Sequence, residues 1–123
     1  MIRNIFISVH DAHKSGVAKL ARDYSQLGFT LFATEGTAKA LQSAGVPVTQ
    51  LYKLSEGRPH VVDMIKNGEI ALIINTPSGK KSQSDMRAIR AAAILHNIPC
   101  ITTLQGAWAA VNGIEAILKE ELN

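Results

Sequence analysis

The sequence predicts an α/β fold: five parallel strands with helices on both faces of the sheet. Two observations carry this. Short, continuously apolar runs recur five times along the chain, and each is followed by a stretch with helical apolar spacing. Strands that are apolar on both faces are buried on both, which requires a parallel sheet covered by helices. Right-handed crossovers then limit the topology to a few doubly wound orders.

The elements follow in order. "NIFISV" (4–9) reads as a buried first strand. Residues 14–27 carry Val17, Leu20, Ala21, Tyr24 and Leu27 at helical spacing, and Gly28 stops them. "FTLFA" (29–33) is the second strand, and 37–44 a short helix ending at Gly45. "PVTQL" (47–51) is the third strand. The loop "YKLSEGR" leads to a helix from Pro59 to about Asn67, with proline at the helix start, where its missing N–H is harmless. "IALIIN" (70–75) is the fourth strand. After the loop "TPSGKKSQS", a helix spans 84–97 with Met86, Ile89 and Ala93. "PCITTL" (99–104) is the fifth strand. The last helix, 106–120, aligns Ala107, Val111, Ile114 and Leu118, and Trp108 on it packs in the core or at an interface.

Composition narrows the function classes. A chain of 123 residues, 46% hydrophobic and 19% charged, is one globular domain with a single core. A net charge of +3 and a pI near 9.2 suit a small phosphorylated ligand. A nucleic-acid face would interleave dense basic residues with aromatics, and aromatics are only 5%. No apolar run reaches the roughly 20 residues of a membrane span. "MIRNIFISV" lacks the separate apolar region of a signal peptide. One cysteine, Cys100, excludes an internal disulfide framework and fits a reducing, cytoplasmic setting. At the start of an apolar strand it reads as a structural thiol, not a nucleophile.

Doubly wound sheets bind ligands beyond the C-terminal strand ends. After the first strand come His10, Asp11 and His13, either a partial metal set or a solvated turn with Asp11 as helix cap, and then Lys14. A lysine opening a helix adds to the attraction of the helix N-terminus for an anion. After the second strand comes "ATEGTA". Thr34 and Thr37 flank Gly36, which permits close backbone approach or positive φ. Thr37 is the expected N-cap. Lys53, Glu56, Gly57 and Arg58 follow the third strand. Asn75, Thr76, Pro77, Ser78, Gly79, Lys80 and Lys81 follow the fourth. This small, basic loop suits an anion, yet it has neither the P-loop spacing nor a dinucleotide-binding fingerprint. No serine–histidine–acid set is suggested.

"ATEGTA", "KLSEGRPHVVDMIKNGEI" and "LIINTPSG" resemble the methylglyoxal-synthase-like fold, specifically the C-terminal regulatory domain of the carbamoyl phosphate synthetase large subunit. The resemblance runs from Asn4 to Leu118. It implies a non-catalytic allosteric module, residues 1–123, forming the C-terminal part of a longer chain that makes carbamoyl phosphate for pyrimidine and arginine biosynthesis. It implies a nucleotide effector, UMP or IMP. The other partners implied are the synthetase domains and a small glutaminase subunit. ATP, Mg2+ or Mn2+ and K+ belong to the parent enzyme, with no cofactor or metal in this domain. The family's effector residues match Ser8, Lys14, Thr34, Thr37, Lys53, Asn75 and Thr76, with backbone amides near Gly36. Thr102 matches a threonine near the ornithine site. Pro77 departs from the family, which has a hydroxyl residue there. Proline removes a donor and stiffens the turn, which bears on the purine effector more than on the pyrimidine one.

The enzyme relative, methylglyoxal synthase, uses a carboxylate base where Arg58 falls in this chain, and the histidine expected before Asp85 is replaced around Ser82. A free-standing phosphate-ligand sensor is a third reading, and an assembly through the Trp108 helix is possible. The expected strand order is 3-2-1-4-5, in a three-layer α/β/α sandwich, with the pocket between the ends of strands one and four.

Overall fold

The computed structural model describes residues 3–9, 14–76 and 83–122, with the backbone alone at Lys14, Ser15, Gln83, Ser84, Glu121 and Leu122. The elements are β1 (Asn4–Ser8), α1 (Lys14–Gln26), β2 (Thr30–Ala33), α2 (Glu35–Ser43), β3 (Thr49–Gln50), α3 (Val61–Lys66), β4 (Leu72–Asn75), α4 (Gln83–Leu95), β5 (Cys100–Ile101) and α5 (Leu104–Leu122). All four strand pairings are parallel, and the order is β3-β2-β1-β4-β5, as the sequence predicts.

The period-2 alternation of the central strands divides the core in two. Ile5, Ile7, Leu72 and Ile74 face one side, under α1, α2 and α5. There they meet Val17, Leu20, Tyr24, Leu41, Ala107 and Val111, with Trp108 packed at the margin. Phe6 and Ile73 face the other side, under α3 and α4, where they meet Val61, Ile65, Ile89 and Ala93. Each fully buried Val, Leu, Ile or Phe among these contributes about 1.5–3 kcal/mol of transfer free energy. Tyr24 is wholly buried, and its hydroxyl donates to the Ala107 carbonyl at 2.9 Å, fastening α1 to α5. Burial pushes that phenol up to about 12.

Four helices end alike. The second residue past the helix takes positive φ at Gly28 (96°), Gly45 (75°), Gly68 (72°) and Asn97 (58°). The next amide then reaches back five residues: Phe29 to Tyr24, Val46 to Leu41, Glu69 to Met64, Ile98 to Ala93. Three of these stops are the glycines that a sequence reader looks for. Asn97 is the one non-glycine, and it ends α4 at Leu95, two residues before the expected 97.

Other boundaries also shift. The edge strands are two residues each, not 47–51 and 99–104, because each has a neighbour on one side alone. Helix α5 begins at Leu104, not 106, because the Thr103 hydroxyl accepts from the Gly106 amide at 2.9 Å and caps it. Helix α3 begins at Val61, not Pro59. The Pro59 carbonyl instead accepts from the Tyr52 amide (3.0 Å), so Pro59 belongs to the loop closing on the end of β3.

Candidate functional site

Because every pairing is parallel, all five C-terminal strand ends share one edge of the sheet. Ser8, Thr34, Asn75, Thr76 and Thr102 stand at or one residue past those ends, and Lys53 lies three residues past β3. Thr102 is exposed beside the start of α5. Lys14 is the first residue of α1, and its side chain lies outside the described residues, as do His10, Asp11, His13 and the loop 77–82 with Pro77, Ser78, Gly79, Lys80, Lys81 and Ser82.

The centre of the edge is formed by β1 and β4. Ser8 is in register with Asn75, and the Thr76 amide donates to the Ser8 carbonyl at 3.0 Å. Asn75 and Thr76 are among the few buried polar residues, 1% and 2% exposed. The Asn75 amide nitrogen, Nδ2, is buried and makes no hydrogen bond. A primary amide nitrogen carries two donors, and leaving it buried and unmade costs about 1–3 kcal/mol. Among the described residues, this donor is available to an acceptor at the end of β4.

The junction of β2 and α2 is tighter than the sequence suggests. The N-cap is Thr34, not Thr37: its backbone is extended (φ −77°, ψ 170°), and its carbonyl accepts the Ala38 amide at 2.9 Å. The Thr34 hydroxyl makes no capping bond. The first-turn amides therefore keep no side-chain acceptor from the cap, the usual condition of an anion site. Gly36 is the second residue of α2 and so helical, which removes the positive-φ reading. A glycine in that exposed first turn has no side chain to stand over the amides. Thr37, only 3% exposed, lies in the first turn, and its Oγ1 accepts from the Val9 amide at 3.2 Å. It thus ties α2 to the end of β1. Its own O–H is left to donate.

Lys53 approaches from the third end. Its amide donates to Glu56 Oε1 at 2.8 Å and its carbonyl accepts from the Glu56 amide at 2.9 Å. Glu56 thus fixes the backbone of Lys53 from both sides. The Lys53 charge reaches α2. The Glu35 carboxyl lies below its ordinary value, chiefly through a hydrogen bond and charge from Lys39, 2.7 Å away, and further through Lys53. Lys39 thus holds the one acidic side chain of the first turn of α2. The sequence reading missed the parts of Glu35 and Glu56. A Lys-x-x-Glu turn was the available signal for Glu56.

The neighbouring helix start is closed by contrast. His60, the N-cap of α3, accepts the Asp63 amide on Nδ1 at 3.3 Å, and Arg58 Nε is 3.0 Å from Asp63 Oδ2. Among the described residues no group of three His, Cys, Asp or Glu side chains could hold a metal ion. No helix among them is long and apolar enough to cross a membrane. An open groove of about 340 Å³, lined by Phe29, Thr30, Pro47 and Thr49 among others, lies at the opposite edge, by the N-terminal strand ends. It shares no residue with the cluster above.

Comparison with known proteins agrees with this fold. The chain is 49% identical over 96% of its length to the C-terminal section of the carbamoyl phosphate synthase large chain of Aquifex aeolicus, and 48% identical over 96% to the large chain of Acidobacterium capsulatum. It spans 22% and 11% of those chains. In fold it is similar to a methylglyoxal synthase from Elizabethkingia anophelis, with a TM-score of 0.68, 17% identity, 89% of this chain and 77% of that one. The family model described as the MGS-like domain matches residues 16–102, so the chain belongs to the MGS-like domain family.

Proposed function

We propose that the chain is the nucleotide-binding regulatory domain of a carbamoyl phosphate synthase large chain, with UMP before IMP as its effector. The observation that carries this is the buried, unpartnered Asn75 Nδ2 on the same sheet edge as the uncovered first turn of α2. The phosphate takes the amides near Gly36 and Thr37, the Thr34 hydroxyl, and Lys53 and Lys14 through charge-assisted bonds. Ser8, Asn75 and Thr76 meet the ribose or the base. The relatives are parts of a larger chain, so the other domains of that chain are the direct partners. The small glutaminase subunit, ATP, Mg2+ or Mn2+ and K+ belong to that assembly.

Calorimetry of the 123-residue chain tests the reading. A micromolar Kd corresponds to about −8 kcal/mol. Ligand at a hundredfold excess over Kd adds about 2.7 kcal/mol of stability. No heat and no thermal shift with millimolar UMP, IMP or their triphosphates would reject it.

The lyase reading requires a free carboxylate next to the substrate carbon. Asp63 is tied to Arg58 and to the start of α3. A guanidinium at Arg58 stays charged and takes no proton. We expect dihydroxyacetone phosphate turnover at the buffer background. Turnover well above it, abolished by Asp63→Asn or Asp85→Asn, would overturn the regulatory reading.

A further inference from the structure

Helix α4 is apolar on the side that faces water. Its inner side, with Met86, Ile89, Ala92 and Ala93, packs in the second core. Its outer side presents Ala88, Ala91, Ile94 and Leu95, all exposed, the last two at 78% and 76%. At 100° per residue, Ala88, Ala91 and Leu95 form one stripe with Ile94 beside it. A surface helix ordinarily carries charged or polar residues there, as α1 does with Lys19, Arg22 and Gln26. After Arg90, α4 has no charged residue. A helix apolar on both sides is one that something covers.

The size of the patch selects the occupant. Two large side chains and two alanines fall short of the roughly 800 Å² per partner that free chains need for stable association. That argues against a second, untethered copy. Domains of one chain hold together with less, because the tether sets a high effective concentration. The curated relatives have that additional chain, since this one spans only 22% and 11% of them. The rim is basic. Arg87 and Arg90 are exposed and make no ion pair among the described residues. We infer that the outer face of α4 docks on the rest of a synthase-type large chain, on an apolar surface bordered by carboxylates. This rests on the proposed placement in such a chain, and not on nucleotide binding.

Cysteine labelling tests it. Leu95→Cys in a Cys100→Ser background is treated with a maleimide, in the free 123-residue chain and in a chimera. In the chimera the chain replaces the matching segment of the Aquifex aeolicus C-terminal section. Labelling is expected to be at least tenfold slower in the chimera. Gln42→Cys, on the exposed side of α2, is expected to label alike in both. The same graft into the Acidobacterium capsulatum large chain supplies a second host, and the rate is read in whichever host keeps its folded circular dichroism. Equal rates at Leu95 would overturn the docking surface. So would slowing in the free chain that grows with its own concentration, which would mean a second copy. Calorimetry with UMP on the free chain judges the regulatory reading separately: intact binding with an unprotected Leu95 sinks the docking surface alone.

Discussion

Two strand-to-helix junctions on the same sheet edge are built in opposite ways. Between β2 and α2 a single residue, Thr34, makes the whole connection, and its hydroxyl leaves the helix start uncapped. Between β3 and α3 ten residues intervene, and the helix start is closed by His60 on the Asp63 amide and by Arg58 on the Asp63 carboxylate. The first arrangement keeps backbone donors available. The second uses its donors internally. The difference teaches where an anion can sit: a helix N-terminus attracts one only while its own side chains have not occupied it.

The contrast can be broken at several points. Thr37→Val should have the largest effect. It removes the acceptor of a buried Val9 amide, so unfolding free energy in urea should fall by about 1–3 kcal/mol, and UMP binding should weaken as well. Lys53→Ala should weaken binding about tenfold or more, about 1.4 kcal/mol, and leave stability nearly unchanged. Lys119→Ala, on α5 and paired with Glu115, should do neither; equal effects from the two lysines would mean nonspecific charge attraction. His60→Ala opens the closed junction. It should lower stability by about 1 kcal/mol and leave calorimetric affinity alone, and loss of binding would show that the two junctions act as one site. Arg58→Ala should cost less than about 1 kcal/mol, since the guanidinium is 79% exposed and water screens the pair.

The smallest effect concerns pH. The Glu35 carboxyl is lowered in the fold, so its contribution is present above its unfolded value, near 4.5, and is lost as pH falls through the lower folded value. Glu35→Gln should flatten that acid limb slightly in pH-dependent urea melts. The same substitution should tighten phosphate binding a little, by removing a negative charge from the first turn of α2.

Much of this was legible beforehand, and the reasons differ by element. The sheet order follows from five apolar runs, because a strand buried on both faces has few ways to be covered. Asn75 and Thr76 are legible as candidates because polar residues end an otherwise apolar run, whereas Ser8 is a candidate through the family resemblance alone. Thr37 reads as the N-cap from sequence, and the structure gives that place to Thr34. Sequence spacing shows a hydroxyl near a helix start and does not show that Val9, 28 residues away, will claim it. His60 was missed because histidine is not among the usual capping residues, and the proline before it drew the helix boundary too early. The free Asn75 nitrogen has no local signature at all, since it depends on what surrounds the end of β4.

The Val9–Thr37 bond has a dynamic consequence. Val9 is one residue beyond the last ladder residue of β1, where a strand end would ordinarily open to solvent on its own. Its amide is instead held by a side chain from a different element, so it can exchange with deuterium only when α2 lifts from the sheet. The exchange rate of that single amide is therefore a clock for opening of the α2 junction. A phosphate seated on the first turn of α2 would slow it without touching Val9. An amide-resolved exchange experiment would thus register occupancy of the junction from a residue that makes no contact with the ligand.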